Sequence, residues 1–263
     1  MKKYILFFKN AISESLVYRT NVFLIFISQF ASTVALIIFW SAIYSEGGKI
    51  GNYELQDLVQ YFIFVGLIGF AIQGVDISWR VSEEIRVGSV TNYILKPMSY
   101  YRSILSIAFG KSIVNMIIII LVIIPILFFG GYLGGLTWGP EKIIIIFISL
   151  AISFLLFATY SFIVGLYTFW SGDSRGFNYV GKLIMLFFSG SIIPLNLLPD
   201  YIMRINQWLP FKNIAWIPVS LLTGKIEAQW MALFPGIIWT LILFLLTHIT
   251  FNQALKKYEG LGA

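Results

Sequence analysis

Charges are missing from this chain over stretches long enough to cross a bilayer, and that limits its fold more than any motif does. Val22 to Tyr44 runs for 23 residues without a charged side chain, against about 20 apolar residues needed to traverse a ~30 Å hydrocarbon core. Composition removes the soluble alternative. Apolar residues make up 59% and charged residues 11% of the 263 residues, where soluble domains carry about 25% charged. The chain reads as an all-α integral membrane protein whose solvent is lipid.

Uncharged length divides it into six spans, at approximately 22–44, 58–75, 103–133, 143–170, 177–198 and 228–251. The third lies in an apolar segment, Ser103 to Leu136, of 34 residues, about 51 Å as a helix. That is too long for one crossing, so Lys111 divides it into a stem outside the bilayer and a crossing at Ser112 to Phe129. The fifth contains Ser189-Gly190-Ser191 and Pro194, and Pro199, Pro210 and Pro218 follow. A helix interrupted in this way ends early, and short re-entrant helices are expected between Leu195 and Leu222, with Trp208 and Trp216 at the interface. Six spans leave room for one transmembrane domain over 1–263 and place any energy-coupling domain on another polypeptide.

Before the first span, Tyr4, Ile5, Phe8, Ile12 and Leu16 share one side of a helix, and Lys2, Lys9, Asn10, Ser13 and Glu14 share the other. Leu6 and Ser15 break the pattern. An amphipathic helix on the membrane surface is expected, the alternative being a frayed extension of the first span. The apolar run Tyr4 to Phe8 is too short for a cleaved secretory signal. With the N-terminus inside, the inner segments hold 13 of the 18 Lys and Arg residues, which places both termini in the cytoplasm. The net charge of +6 follows from that asymmetry and from contact with anionic lipid, so no nucleic-acid partner is expected.

Few chemistries fit these residues. There is no cysteine and one histidine, His248, so no catalytic or metal-binding cluster is expected; His248 reads as an interfacial or satisfied imidazole. The spans lack the central ionisable groups of a coupled carrier. Gly176 to Lys182 has G-x-x-x-x-G-K spacing, but Leu183 stands where Ser or Thr would hold magnesium, and no strand precedes it. Its glycines are expected instead to allow close helix packing, with Gly172 and Gly176 as a small-xxx-small pair.

The most informative polar segment is 79–102, WRVSEEIRVGSVTNYILKPMSYYR. A short helix is expected from Arg80 to Val87, with Ser82 as a possible cap and Gly88 as its stop. A solvated loop explains the charges. It does not explain the apolar Ile85, Val87, Tyr93, Ile94 and Leu95 between them, which suit a surface that docks a partner.

Glu83-Glu84-x-x-x-Gly88, then Leu95-Lys96-Pro97, then Ser189-Gly190, Pro194-Leu195 and Leu198-Pro199 in a broken fifth span, occur in an order that resembles the membrane subunit of ABC-2-type exporters. The resemblance implies a permease domain moving a hydrophobic or amphipathic substrate across the cytoplasmic (inner) membrane of a prokaryote. It implies two separate ATP-binding ABC subunits that carry ATP and Mg, with no cofactor and no catalytic site in this chain, and a second copy or a related permease subunit beside it. It assigns docking of the ATPase to Ser82, Glu83, Glu84, Ile85, Arg86, Val87 and Gly88, and closure of the outer side to roughly Ile193 to Pro218. A stand-alone carrier or channel is the competing class, and an integral membrane enzyme is a third.

Overall fold

The structure is a computed structural model that describes residues 2–45, 54–129, 139–173, 175–227 and 229–257. The end of the expected third span, 130–133, and the start of the expected sixth span at Ala228 lie outside the described residues.

Among the described residues the elements are helical. They are α1 (Lys2–Val17), α2 (Arg19–Ser45), α3 (Leu55–Ile68), α4 (Ile77–Arg86), α5 (Thr91–Ile94), α6 (Tyr100–Ile118), α7 (Ile124–Phe129), α8 (Pro140–Leu166), α9 (Thr168–Ser171), α10 (Arg175–Phe188), α11 (Asp200–Gln207), α12 (Trp216–Thr223) and α13 (Phe234–Lys257). Wide π turns at Gly69–Gln73 and Ile119–Ile123 continue α3 and join α6 to α7. Five stretches are long and apolar enough to cross a membrane: Arg19–Tyr44, Leu55–Arg86, Tyr100–Phe129, Pro140–Ser171 and Trp230–Lys257.

The segment read as a fifth span behaves differently. Its helix, α10, has 14 residues and is therefore about 21 Å long at 1.5 Å per residue. It stops where Gly190 takes a φ of 83°, a left-handed conformation that glycine adopts without a Cβ clash. Two long-range bonds fix the break: the Tyr61 hydroxyl donates to the Gly190 carbonyl at 2.7 Å, and the Trp216 amide donates to the Ser189 carbonyl at 2.9 Å. Beyond it α12 packs against α3 and α8, and its Val219 and Leu221 are fully buried. Of the two rings expected at an interface, Trp208 is exposed, whereas Trp216 is partly buried and packed against the core. Trp216 is drawn in because α12 lies between two long helices rather than over them.

α8 is the centre of the bundle, touching α4, α6, α10, α12 and α13. An all-round apolar helix is a buried one, and Leu156, Phe162 and Leu166 have no or almost no exposed surface. Its few polar side chains are used internally: Ser153 donates to the Ile214 carbonyl, and Thr159 bonds the Tyr101 hydroxyl at 2.8 Å. α2 lies at the periphery, packed on α3 with Phe23, Leu24, Phe30, Ile38 and Phe39 exposed. Such a face is stable against lipid and not against water.

α6 begins at Tyr100, three residues before the expected start, because Ser99 caps it by accepting from the Arg102 amide at 3.4 Å. α1 runs alongside its first half in the same direction. The Ser99 amide donates to the Tyr4 hydroxyl, Phe8 meets Phe109, and Glu14 pairs with Lys111 at 2.9 Å. The buried positions of α1 are Ala11 and Ser15. Ser15, which breaks the amphipathic pattern, is tolerated because its hydroxyl donates to the Ala11 carbonyl. Ile5 and Leu16, expected on the apolar side, remain exposed. Across the bundle, the Asn115 amide donates to the Phe70 carbonyl in the first π turn at 2.8 Å, so α6 is hydrogen-bonded to the place where α3 widens.

Candidate functional site

α4 owes its position to the phase of its apolar residues. Ile77, Val81, Ser82 and Ile85 occupy one stripe and are buried, which is the spacing of a helix with one packed face. That face meets α8 at Gly165. An added Cβ on Gly165 would sit 2.7 Å from the Val81 Cβ and 2.8 Å from the Ser78 carbonyl oxygen, so only a residue without a side chain allows the approach. Ser82 completes the joint: it donates to the Gly165 carbonyl at 3.5 Å and accepts from the Asn178 amide of α10 at 3.0 Å.

The seven residues assigned to docking therefore divide. Ser82 is not the cap of this helix; Asp76 holds the cap position, and Ser82 lies in the middle with its hydroxyl in the bundle. Ile85 is buried. Glu84 points inward too, with a side chain only 14% exposed and paired to Arg80 at 2.9 Å. Burial first, and then the Glu84 carboxylate, push the Tyr93 phenol upward. Glu83, Arg86 and Val87 face out. Glu83 and Arg86 are paired at 2.7 Å with side chains 57% and 61% exposed, and Val87 is exposed beside them. Gly88, with a φ of 79°, turns the chain away, and the Thr91 hydroxyl fastens that turn by donating to its carbonyl at 2.8 Å.

More residues join this face. Gly172, Asp173 and Arg175, beyond α9, lie next to α4, and together they line a cleft of about 250 Å³ with Trp79, Glu83, Arg86 and Thr168 among others. Arg175 pairs with Asp173 at 2.6 Å. Its guanidinium and backbone amide, hydrogen-bonded to the carboxylate, hold Asp173 down at about 2. Two exposed ion pairs thus stand side by side at one end of the bundle. The sequence separates them by almost ninety residues, and only the packing of α4 on α8 joins them.

Other expectations resolve here. Gly176 to Lys182 is helical throughout, so it forms no loop after a strand. Gly172 and Gly176 are not a packing pair, since an added Cβ at either meets nothing within 4 Å; Gly181 is the close contact, 3.2 Å from the Val164 methyls. His248 is exposed and bonded to Asn252 at 3.2 Å. A cavity of about 290 Å³ between α1, α2, α4 and α6, with Glu14, Asp76, Arg80, Lys111 and Asn115 among mostly apolar lining residues, was not read from the sequence. Its one visible signal was Asn115, a lone amide opening a long apolar run.

No curated protein matches the chain at a significant level. A sequence model described as ABC-2 family transporter protein matches residues 30–262. That match takes in every long apolar helix except the first turns of α2, together with α4, Asp173 and Arg175. A multi-pass helical membrane protein matched over nearly its whole length, the chain belongs to the ABC-2 transporter family.

Proposed function

We propose that this chain is the membrane subunit of an ATP-driven exporter and that α4 is where a separate ATPase subunit pushes on it. The observation that carries the reading is the two-sidedness of α4. Its inner face is locked to α8 and α10 through Gly165, Ser82 and Asn178. Its outer face leaves Glu83, Arg86 and Val87 free for a partner. A force applied to such a helix passes to the central helix of the bundle with little slack, because packed interiors deform little.

In this reading ATP and Mg sit on two ABC subunits, and the permease is paired with a second copy or a relative. The charge asymmetry of the loops supports cytoplasmic termini in the inner membrane of a prokaryote. α10 counts as a short fifth span, giving six, and α11 and α12 fold back as re-entrant helices on the outer side over the break at Gly190. α1 lies at the inner interface. The substrate is hydrophobic or amphipathic, in keeping with spans that lack charged centres.

The test is the double variant Glu83→Lys, Arg86→Glu, which keeps an opposite-charge pair within the helix while reversing the pattern shown to a partner. An exposed pair of this kind adds little to folding because solvent screens it, so insertion and thermal stability stay as in the wild type. Close charge pairs across an interface couple by about 1.5 kcal/mol or more, so copurification with the ATPase should weaken about tenfold. Wild-type retention together with wild-type transport would move a stand-alone carrier or channel to first place.

A further inference from the structure

At the same end of the bundle, α1, the 97–99 turn, the start of α6 and the Phe244 to Phe251 stretch of α13 enclose a cavity of about 400 Å³. Its walls are of two kinds. Phe244 and Phe251 of α13 and Tyr101 of α6 supply rings, with Tyr101 5.9 Å from Phe244. Arg102 and His248 supply the cation and the imidazole, on different helices, and among the described residues no carboxylate lines the space. Arg102 makes no ion pair among the described residues, which separates it from Arg80, Arg86, Lys111, Arg175 and Lys225. Lys3 adds a second positive group at the rim, donating to the carbonyl of the lining residue Pro97. Next to the lining residues along α13, Leu245 and Ile249 form an apolar strip that is 61% and 51% exposed.

A site that joins unpaired cations to aromatic walls and lies beside an exposed apolar strip fits an anion with a hydrocarbon tail. We propose that this cavity holds the phosphodiester headgroup of an anionic phospholipid, with Arg102 and His248 against the phosphate and Phe244 and Phe251 against the upper acyl chains. The inference rests on the reading that this end of α13, closed by Lys256 and Lys257, lies at the cytoplasmic leaflet, where anionic lipid attracts basic residues. A soluble phosphate ester would find the same cations, but it would leave the rings and the exposed strip on α13 unused.

The test uses the full-length chain in mild detergent, without an ATPase subunit, so that its failure is independent of the docking reading. Phosphatidylglycerol and phosphatidylcholine with identical acyl chains are titrated, and bound lipid is counted by native mass spectrometry. The expected result is preferential retention of phosphatidylglycerol, weakened about fivefold by Arg102→Gln, as removal of one near-surface cation implies. Arg102→Lys should hold within about twofold of the wild type, and His248→Gln gives a second reading from the other wall. Lys9→Gln removes an exposed cation of α1 outside the cavity and should change nothing. Equal retention of the two lipids overturns the proposal. So does an equal fall for Lys9→Gln and Arg102→Gln, which would mark a general surface potential. Displacement of the lipid by inorganic phosphate at matched concentration would make this a site for a soluble anion.

Discussion

Replacing Gly165 with alanine tests whether α4 rests on α8 as tightly as the packing indicates. The new Cβ would stand 2.7 Å from the Val81 Cβ and 2.8 Å from the Ser78 carbonyl oxygen, where relaxed carbon contacts lie at about 3.5–4.0 Å. Neither obstacle is the end of a flexible side chain, so α4 must recede as a body. Overpacking of this kind costs about 1–3 kcal/mol, and the gain in helix propensity from Gly to Ala offsets at most about 1 kcal/mol of it. With both obstacles rigid the cost lies in the upper half of that range, and the net loss of about 1–2 kcal/mol lowers a melting temperature by about 2–8 °C for a chain of this size. Thermal unfolding in a single detergent measures it, with Gly176→Ala as the control, since an added Cβ there meets nothing within 4 Å. ATP-driven transport in proteoliposomes should drop with Gly165→Ala and not with Gly176→Ala. Equal melting temperatures and equal transport for the two variants would refute the argument that this contact transmits force.

Three further outcomes follow from the packing. Tyr61→Phe removes a buried donor from the Gly190 carbonyl, 2.7 Å away, and should destabilise by about 1–3 kcal/mol; an unchanged unfolding temperature would show that the break after α10 is held by something else. Asn206 is 1% exposed and neither of its amide atoms has a partner among the described residues, so Asn206→Leu should be neutral or stabilising by up to about 1–3 kcal/mol, and a clear loss of stability would mean that the amide is engaged. Asp173 is held at about 2, below its ordinary 3.8, by hydrogen bonds from Arg175. A depressed carboxyl contributes above its ordinary value and is lost as pH falls toward the folded value. ATPase retention should therefore be flat from pH 5 to 8, and a decline in that range that Asp173→Asn abolishes would contradict the assignment.

The long helices were legible because uncharged length is a property of the sequence alone. The first span, read at 22–44, is the helix Arg19–Ser45, and the fourth, read at 143–170, is Pro140–Leu166 followed by Thr168–Ser171. The helix of the sixth runs on to Lys257 rather than ending at Phe251, since two lysines at a helix end sit comfortably against its dipole. The inward turn of Glu84 was not legible. Both carboxylates of the Glu83-Glu84 pair look solvated in a sequence, and which one is depends on the side of a ten-residue helix that α8 covers. Gly165 was hidden for the same reason: a glycine inside an apolar run announces close approach only when its neighbour is known. The Arg102 and His248 cavity depends on four segments far apart in the chain, and the sequence shows His248 only as a solitary imidazole.

The two π turns change what the spans can tolerate in length. Such a turn closes its hydrogen bond five residues back, as the Gly74 amide does to the Gly69 carbonyl at 2.7 Å, and so holds one residue more than an α turn. Deleting a residue from the regular part of α6 would rotate everything downstream by about 100°, turning lipid-facing side chains into the bundle. Deleting one from Ile119–Ile123 would restore the α ladder and leave the faces of α7 where they are. The same deletion in Gly69–Gln73 is not equivalent, because the Phe70 carbonyl accepts there from Asn115. Of these two π turns, only the later one can lose a residue and leave the α3 to α6 hydrogen bond untouched.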